Sequence, residues 1–147
     1  MTFSKLVLIS SALLIAGNLT SPLFAAQSVQ KVKVELAGEA DQPMSIVIDQ
    51  STLKAGIVEF DVANTAIGTD HEMVLVKVAS ADIKLISGPK SHRVDEHKLK
   101  SLGEVAGLKA GHVDTLTVKL VPGDYMLICN HKFHFELGMA THLTVTQ

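Results

Sequence analysis

From Val29 onward, short apolar runs alternate with polar residues at a period of two. That period fits half-buried strands and argues against amphipathic helices, whose apolar positions recur every three to four residues. Val32, Val34 and Leu36 alternate with Lys31, Lys33 and Glu35. Met44, Ile46 and Ile48 repeat the pattern, as do Val58, Phe60 and Val62 against Glu59 and Asp61, with Asn64 ending that strand. Further runs are Val74, Val76 and Val78; Leu116, Val118 and Leu120; Tyr125, Leu127 and Cys129; and Leu143 with Val145. Lys109-Ala110-Gly111 and Pro122-Gly123-Asp124 supply the turn chemistry that precedes strands. The pattern predicts an all-β fold, an antiparallel Greek-key β-sandwich with a short helical or irregular crossover. The crossover is Ala79 to Gly111, where strand signals are few; Asp95 through Leu102 reads as a helical turn or two with Leu99 and Leu102 inward. A connection this long in a compact domain is expected to be semi-structured and to link the two sheets.

Composition narrows the function. Thirteen Lys and Arg against 15 Asp and Glu give 147 residues a formal charge of -2, with no basic surplus to neutralise a phosphate backbone, so no nucleic-acid partner is expected. Hydrophobic residues at 47% and charged residues at 19% suffice for a packed core and exclude a disordered chain. The single Cys excludes a disulfide framework and a zinc module built on several cysteines.

The first residues read as an address. Lys5 precedes an apolar run from Leu6 to Leu19, followed by Ser21-Pro22 and the small pair Ala25-Ala26, the order of a secretory signal peptide. The run has 14 residues, whereas a membrane-spanning helix needs roughly 20. The expected organisation is a signal peptide over 1–25, with cleavage after residue 25 or 26, and a single domain over 26–147. No membrane span and a periplasmic, exported location are expected. Losing Lys5 leaves the mature chain with 12 basic against 15 acidic groups.

The segment Cys129-Asn130-His131-Lys132-Phe133-His134-Phe135-Glu136-Leu137-Gly138-Met139 offers a thiolate, an imidazole and a thioether at spacings of five and five. These are soft or borderline donors that suit copper better than magnesium or calcium. Two imidazoles and a thiolate in a plane, with a weak axial thioether, are tolerable to both copper oxidation states. His71, 58 residues before Cys129 and just ahead of the strand near Met73, is the best candidate for the second imidazole. Each residue also has a plainer reading. Cys129 shares parity with Tyr125 and Leu127, so burial alone accounts for its position. His71 reads equally as a polar strand start, and Met139 as core filling. Zinc accepts Cys and His but has little use for a thioether, so Met139 counts against it. His131 reads as a solvent-facing residue, and His92, His97, His112 and His142 as non-ligands. Glu72 reads as a group that orients the site or as an exposed strand residue. Asn64 and Asn130 read as pins for loops or as simple turn residues.

With these residues in view, the sequence resembles the cupredoxins, small blue-copper proteins. Asn64 followed by His71-Glu72 is similar to the family's Asn and first ligand His. Leu102-Gly103-Glu104-Val105, Gly111 and Pro122-Gly123-Asp124-Tyr125 are similar to its lead-in to the copper loop. Cys129-Asn130, His134 and Gly138-Met139 resemble the loop of azurin-like and sulfocyanin-like members. The resemblance implies His71, Cys129 and His134 as equatorial ligands and Met139 as the axial one, holding one copper ion that cycles between Cu(I) and Cu(II). It implies one-electron transfer with a redox protein partner, carried out by a monomer that is not an enzyme. Where relatives often carry Pro-Gly before the second His, this chain has Lys132-Phe133 and an additional His131. The alternative reading is a periplasmic copper-binding delivery or resistance protein, with His131, Met73 and Met126 as extra donors; a metal-free interaction sandwich is a third.

Overall fold

In a computed structural model, residues 28–40 and 42–147 are described; the predicted signal peptide lies outside the described residues. Nine strands follow in order: β1 (Gln30–Ala37), β2 (Ser45–Ile48), β3 (Thr52–Lys54), β4 (Gly56–Asn64), β5 (His71–Val78), β6 (Lys100–Leu108), β7 (Val113–Leu120), β8 (Gly123–Ile128) and β9 (Ala140–Thr146). They form a four-stranded sheet in the order β2-β1-β4-β7 and a five-stranded sheet in the order β3-β9-β8-β5-β6. Alternation drives this arrangement. In β4 every second residue is buried from Gly56 to Asn64, and in β1 Val32, Val34 and Leu36 point inward while Lys31, Lys33 and Glu35 face out. Phe60, Leu36, Tyr125, Leu127, Leu143 and Leu120 are almost wholly buried between the two sheets. The Tyr125 hydroxyl donates to the Val121 carbonyl at 2.6 Å, which satisfies its one polar atom.

The β-sandwich expected from the sequence is present, with both sheets mixed rather than antiparallel throughout. β1 runs parallel to β4 and β3 parallel to β9; the remaining pairings are antiparallel. Alternation specifies which side chains point inward but not the direction of the neighbouring strand.

The stretch from Ala79 to Gly111 departs further from expectation. It does link the sheets, from β5 of the five-stranded sheet to β7 of the four-stranded one, but it first returns as β6, which pairs with β5 in the same sheet. On the way it covers the outer face of that sheet, where Val74, Val76, Val78, Met126, Ile128 and Val94 form a second buried cluster flanked by Ile83, Leu85 and Leu99. β5 and β8 are therefore buried on both faces, and it is Met73 and Leu75, not the Val74-Val76-Val78 row, that reach the main core. Helical structure in the crossover is one 3₁₀ turn, Glu96–Lys98, capped by the Asp95 carboxylate accepting from the His97 N–H. Leu99 packs on the second cluster and Leu102, within β6, on the first.

Candidate metal centre

His71 opens β5 and shares its inward parity with Met73 and Leu75, so the sheet pairing that buries those side chains carries the imidazole into the end of the core. His71 and Cys129 are fully buried and His134 is 8% exposed. Cys129 follows β8 directly, two positions beyond Leu127, on the same inward face. The β5–β8 register, Val74 opposite Ile128, brings these two strand ends side by side. His134 comes from the loop that returns to β9. One donor atom each of His71, Cys129 and His134 lies within 4.8 Å of the other two. The Nδ1 atoms of His71 and His134 are 3.2 Å apart, and Cys129 Sγ is 3.4 Å from His134 Nδ1.

Their protonation follows from their surroundings. His71 Nε2 lies 3.1 Å from the Gly38 carbonyl, to which it donates, and this leaves Nδ1 as a lone pair aimed at the other donors. One proton cannot serve both contacts of His134 Nδ1 at once, whereas a single cation can serve all three donors. Burial lowers the pKa of His71. Burial, with the neighbouring His71 and His131, lowers that of His134 to about 4. Burial pushes the Cys129 thiol up to about 11, against the Glu72 N–H that donates to its sulfur at 3.4 Å. Two imidazoles and one thiol at this spacing are a donor set that fits copper.

Met139 is fully buried in the main core. Its N–H donates to the His134 carbonyl and its carbonyl accepts the Cys129 N–H, both at 3.1 Å, so its backbone is tied to both neighbours in the loop. Asn64 and Asn130 are buried and fully used. The Asn64 amide donates to the carbonyls of Thr69 and Leu108, and its oxygen accepts the Ala66 N–H, which shapes the segment leading to His71. Asn130 accepts the Val94 N–H and donates to the Val94 carbonyl and the Glu96 carboxylate. It fastens the crossover beside Cys129. The Glu72 carboxylate accepts the Asn130 N–H at 3.0 Å and lies 3.6 Å from His131 Nε2. Burial raises its pKa while His131 opposes the rise.

Other expectations shift. His131 is half-buried rather than solvent-facing, leaning toward Glu72 with its ring 5.3 Å from that of His134. On the loop that carries His134, Phe133 and Leu137 are exposed, whereas Phe135 is half-buried and packs against the second cluster. Met73 lies in the main core and Met126 in the cluster on the opposite face of the sheet, so these thioethers do not converge. Gly38, whose carbonyl orients His71, carried no sequence signal, because its contribution is a backbone atom. Nor did His92, whose ring stacks on Phe133 with centroids 4.1 Å apart. His92 and Phe133 have φ of 53° and 72°, each a left-handed conformation that costs a non-glycine residue roughly 1–2 kcal/mol.

Neither family models nor curated protein sequences match the chain. Solved structures do. Auracyanin A, a "blue" copper protein from Chloroflexus aurantiacus, is similar with a TM-score of 0.55 and 21% identity, over 81% of this chain and 100% of its own. Auracyanin from Roseiflexus castenholzii gives 0.53 and 16%, over 84% and 100%. Rusticyanin from Thiobacillus ferrooxidans gives 0.61 and 14%, over 82% and 79%. At these identities the likeness lies in the backbone. The chain has the cupredoxin fold, that of the family its Cys129-to-Met139 loop resembles.

Proposed function

We propose that the protein is an exported, periplasmic one-electron carrier that holds one copper ion through His71, Cys129 and His134, with the Met139 thioether as a weak fourth donor. The observation that carries this reading is the convergence of two imidazoles and a thiol within 4.8 Å at the end of a packed core. Copper bound there supplies the Cu(I)/Cu(II) couple. The chain's own contribution is to hold the donors in place, exclude water from the sulfur and keep one imidazole edge near solvent. Four protein donors leave no open position of the kind a catalytic metal site keeps, so no substrate is transformed.

His134, slightly exposed beside Phe133 at 43% and Leu137 at 36%, offers the shortest route to the surface. Two exposed apolar side chains around a redox-active edge suit a brief encounter with a redox protein, since such encounters bury little area. Among the described residues no helix is long and apolar enough to cross a membrane.

The test is to add Cu(II) to the purified mature protein and record visible and paramagnetic-resonance spectra. An intense thiolate-to-copper band that disappears in Cys129→Ser and His134→Ala and persists in His131→Ala is the expected result. A protein that stays colourless with Cu(II) and binds only Cu(I) overturns the electron-carrier reading in favour of copper delivery. Met139→Leu is expected to shift the spectrum and the potential; unchanged values would remove Met139 from the donor set.

A further inference from the structure

Among the described residues, the two non-glycine residues with positive φ, His92 and Phe133, touch each other. They lie 41 positions apart, one in the crossover and one immediately before His134. Strained backbone persists only where the surroundings over-determine it. Burial does not supply that here, because Phe133 is 43% exposed. The contact itself does. The Phe133 N–H donates to the His92 carbonyl at 3.0 Å, and the two rings stack at 4.1 Å with 31° between their planes. His92 is fixed in turn: its N–H donates to the Gly88 carbonyl at 2.8 Å, and its Nδ1 lies 3.2 Å from both carboxylate oxygens of Glu136. Glu136 also accepts from the Ser87 hydroxyl. The loop that carries His134 is thus gripped on both sides of that residue, at 133 and at 136, by one tight turn of the crossover.

We propose that His92 is a positioning residue for His134, clasping the loop through Phe133 and Glu136 so that the imidazole faces His71 and Cys129 before any ion arrives. Backbone bonds within the loop already tie His134 to His131 and Met139; the attachments at 133 and 136 add a hold from outside the loop, on either side of the ring. The crossover then has a role at the site although none of its residues belongs to the donor set. This deepens the copper reading, and rests on it only for what the positioned ring serves.

The experiment compares His92→Gly and His92→Tyr with the wild type. Glycine accepts the positive φ and removes the ring together with its link to Glu136; tyrosine keeps a ring for Phe133. In metal-free protein, His92→Gly is expected to speed amide exchange at Phe133, His134 and Leu137 by about tenfold while β1 and β4 keep wild-type protection. In Cu(II)-loaded protein it is expected to speed copper release by about tenfold and alter the paramagnetic-resonance hyperfine pattern. His92→Tyr is expected to recover most of both effects. Unchanged exchange in the loop of His92→Gly overturns the proposal, as does a uniform rise across the sheets, which would mark a merely structural residue. A wild-type protein that takes up no copper defeats the copper reading, and the exchange measurement still decides the clasp.

Discussion

Burial drives the two imidazoles and the thiol of the site toward their uncharged forms, by lowering the imidazole pKa values and raising that of the thiol. Two outcomes follow from the sign. For metal-free protein, an imidazole that titrates near 6.5 when unfolded and lower when folded leaves the unfolded state holding more protons below pH 6.5. Stability is therefore complete above that pH and declines as pH falls toward about 4, where folded His134 protonates. His134 alone accounts for about 3 kcal/mol over that window. Urea titrations of the metal-free protein between pH 7.5 and 4 should show this decline, and His134→Gln should flatten it; equal slopes in the two proteins would refute it. The second outcome concerns metal uptake. At pH 7 the imidazoles are already unprotonated and the Cys129 thiol is not, so Cu(II) binding should release about one proton. Calorimetry in buffers of differing ionisation enthalpy reads that number directly. A value near zero would mean that the thiol does not ligate.

At the scale of elements, the turn that ends the loop from Cys129 to Met139 leaves no room for a side chain. Gly138 has φ of 108°, and a Cβ built on it would stand 2.9 Å from the Met44 carbonyl oxygen. The Leu137 carbonyl accepts the Met44 N–H, so loop and β2 approach are already pinned together at that point. Gly138→Ala must move one backbone away from the other, at a cost of about 1–3 kcal/mol. A fall in the thermal midpoint, with a spectral change in the copper-loaded protein, is expected; an unchanged midpoint would contradict the close approach. Which elements were legible in the sequence follows from burial. β1 and β4 bury one face, and their alternation marks them clearly. β5 is buried on both faces, which conceals which parity meets the main core. β6 was not legible at all: only Val105 and Leu108 are buried in it, glycines stand at 103 and 107, and its pairing with β5 shifts register twice. The candidate donors Cys129, His134 and Met139 lie close together in sequence and stood out by chemistry, and His71, also a candidate, stood out by its place before a strand. The contacts that orient them, the Gly38 carbonyl and the His92 ring, depend on where the chain returns in space, which periodicity does not encode.

At the scale of the whole molecule, the candidate donors belong to one rigid unit. His71 opens β5, Cys129 directly follows β8, and the returning loop leads into β9; these three strands are consecutive in the five-stranded sheet, with the main core on one face and the crossover on the other. The loop is closed by its own backbone bonds, His134 N–H to the His131 carbonyl and Leu137 N–H to the Phe133 carbonyl, both at 3.0 Å. Among the described residues no buried side-chain nitrogen or oxygen lacks a hydrogen-bond partner, so the framework's buried polar groups are satisfied by the chain itself. Folding should then precede metal binding, unlike small zinc modules whose metal supplies the folding free energy. The metal-free protein is expected to keep its far-ultraviolet β signature and the slow amide exchange of β5, β8 and β9. Copper should stabilise the folded state through preferential binding, by about 4 kcal/mol when free metal stands a thousandfold above its dissociation constant, and so raise the thermal midpoint. Loss of amide protection across β5 and β8 on copper removal would show instead that the ion organises the sheet, and the site would then be a product of metal binding rather than of the sequence's own packing.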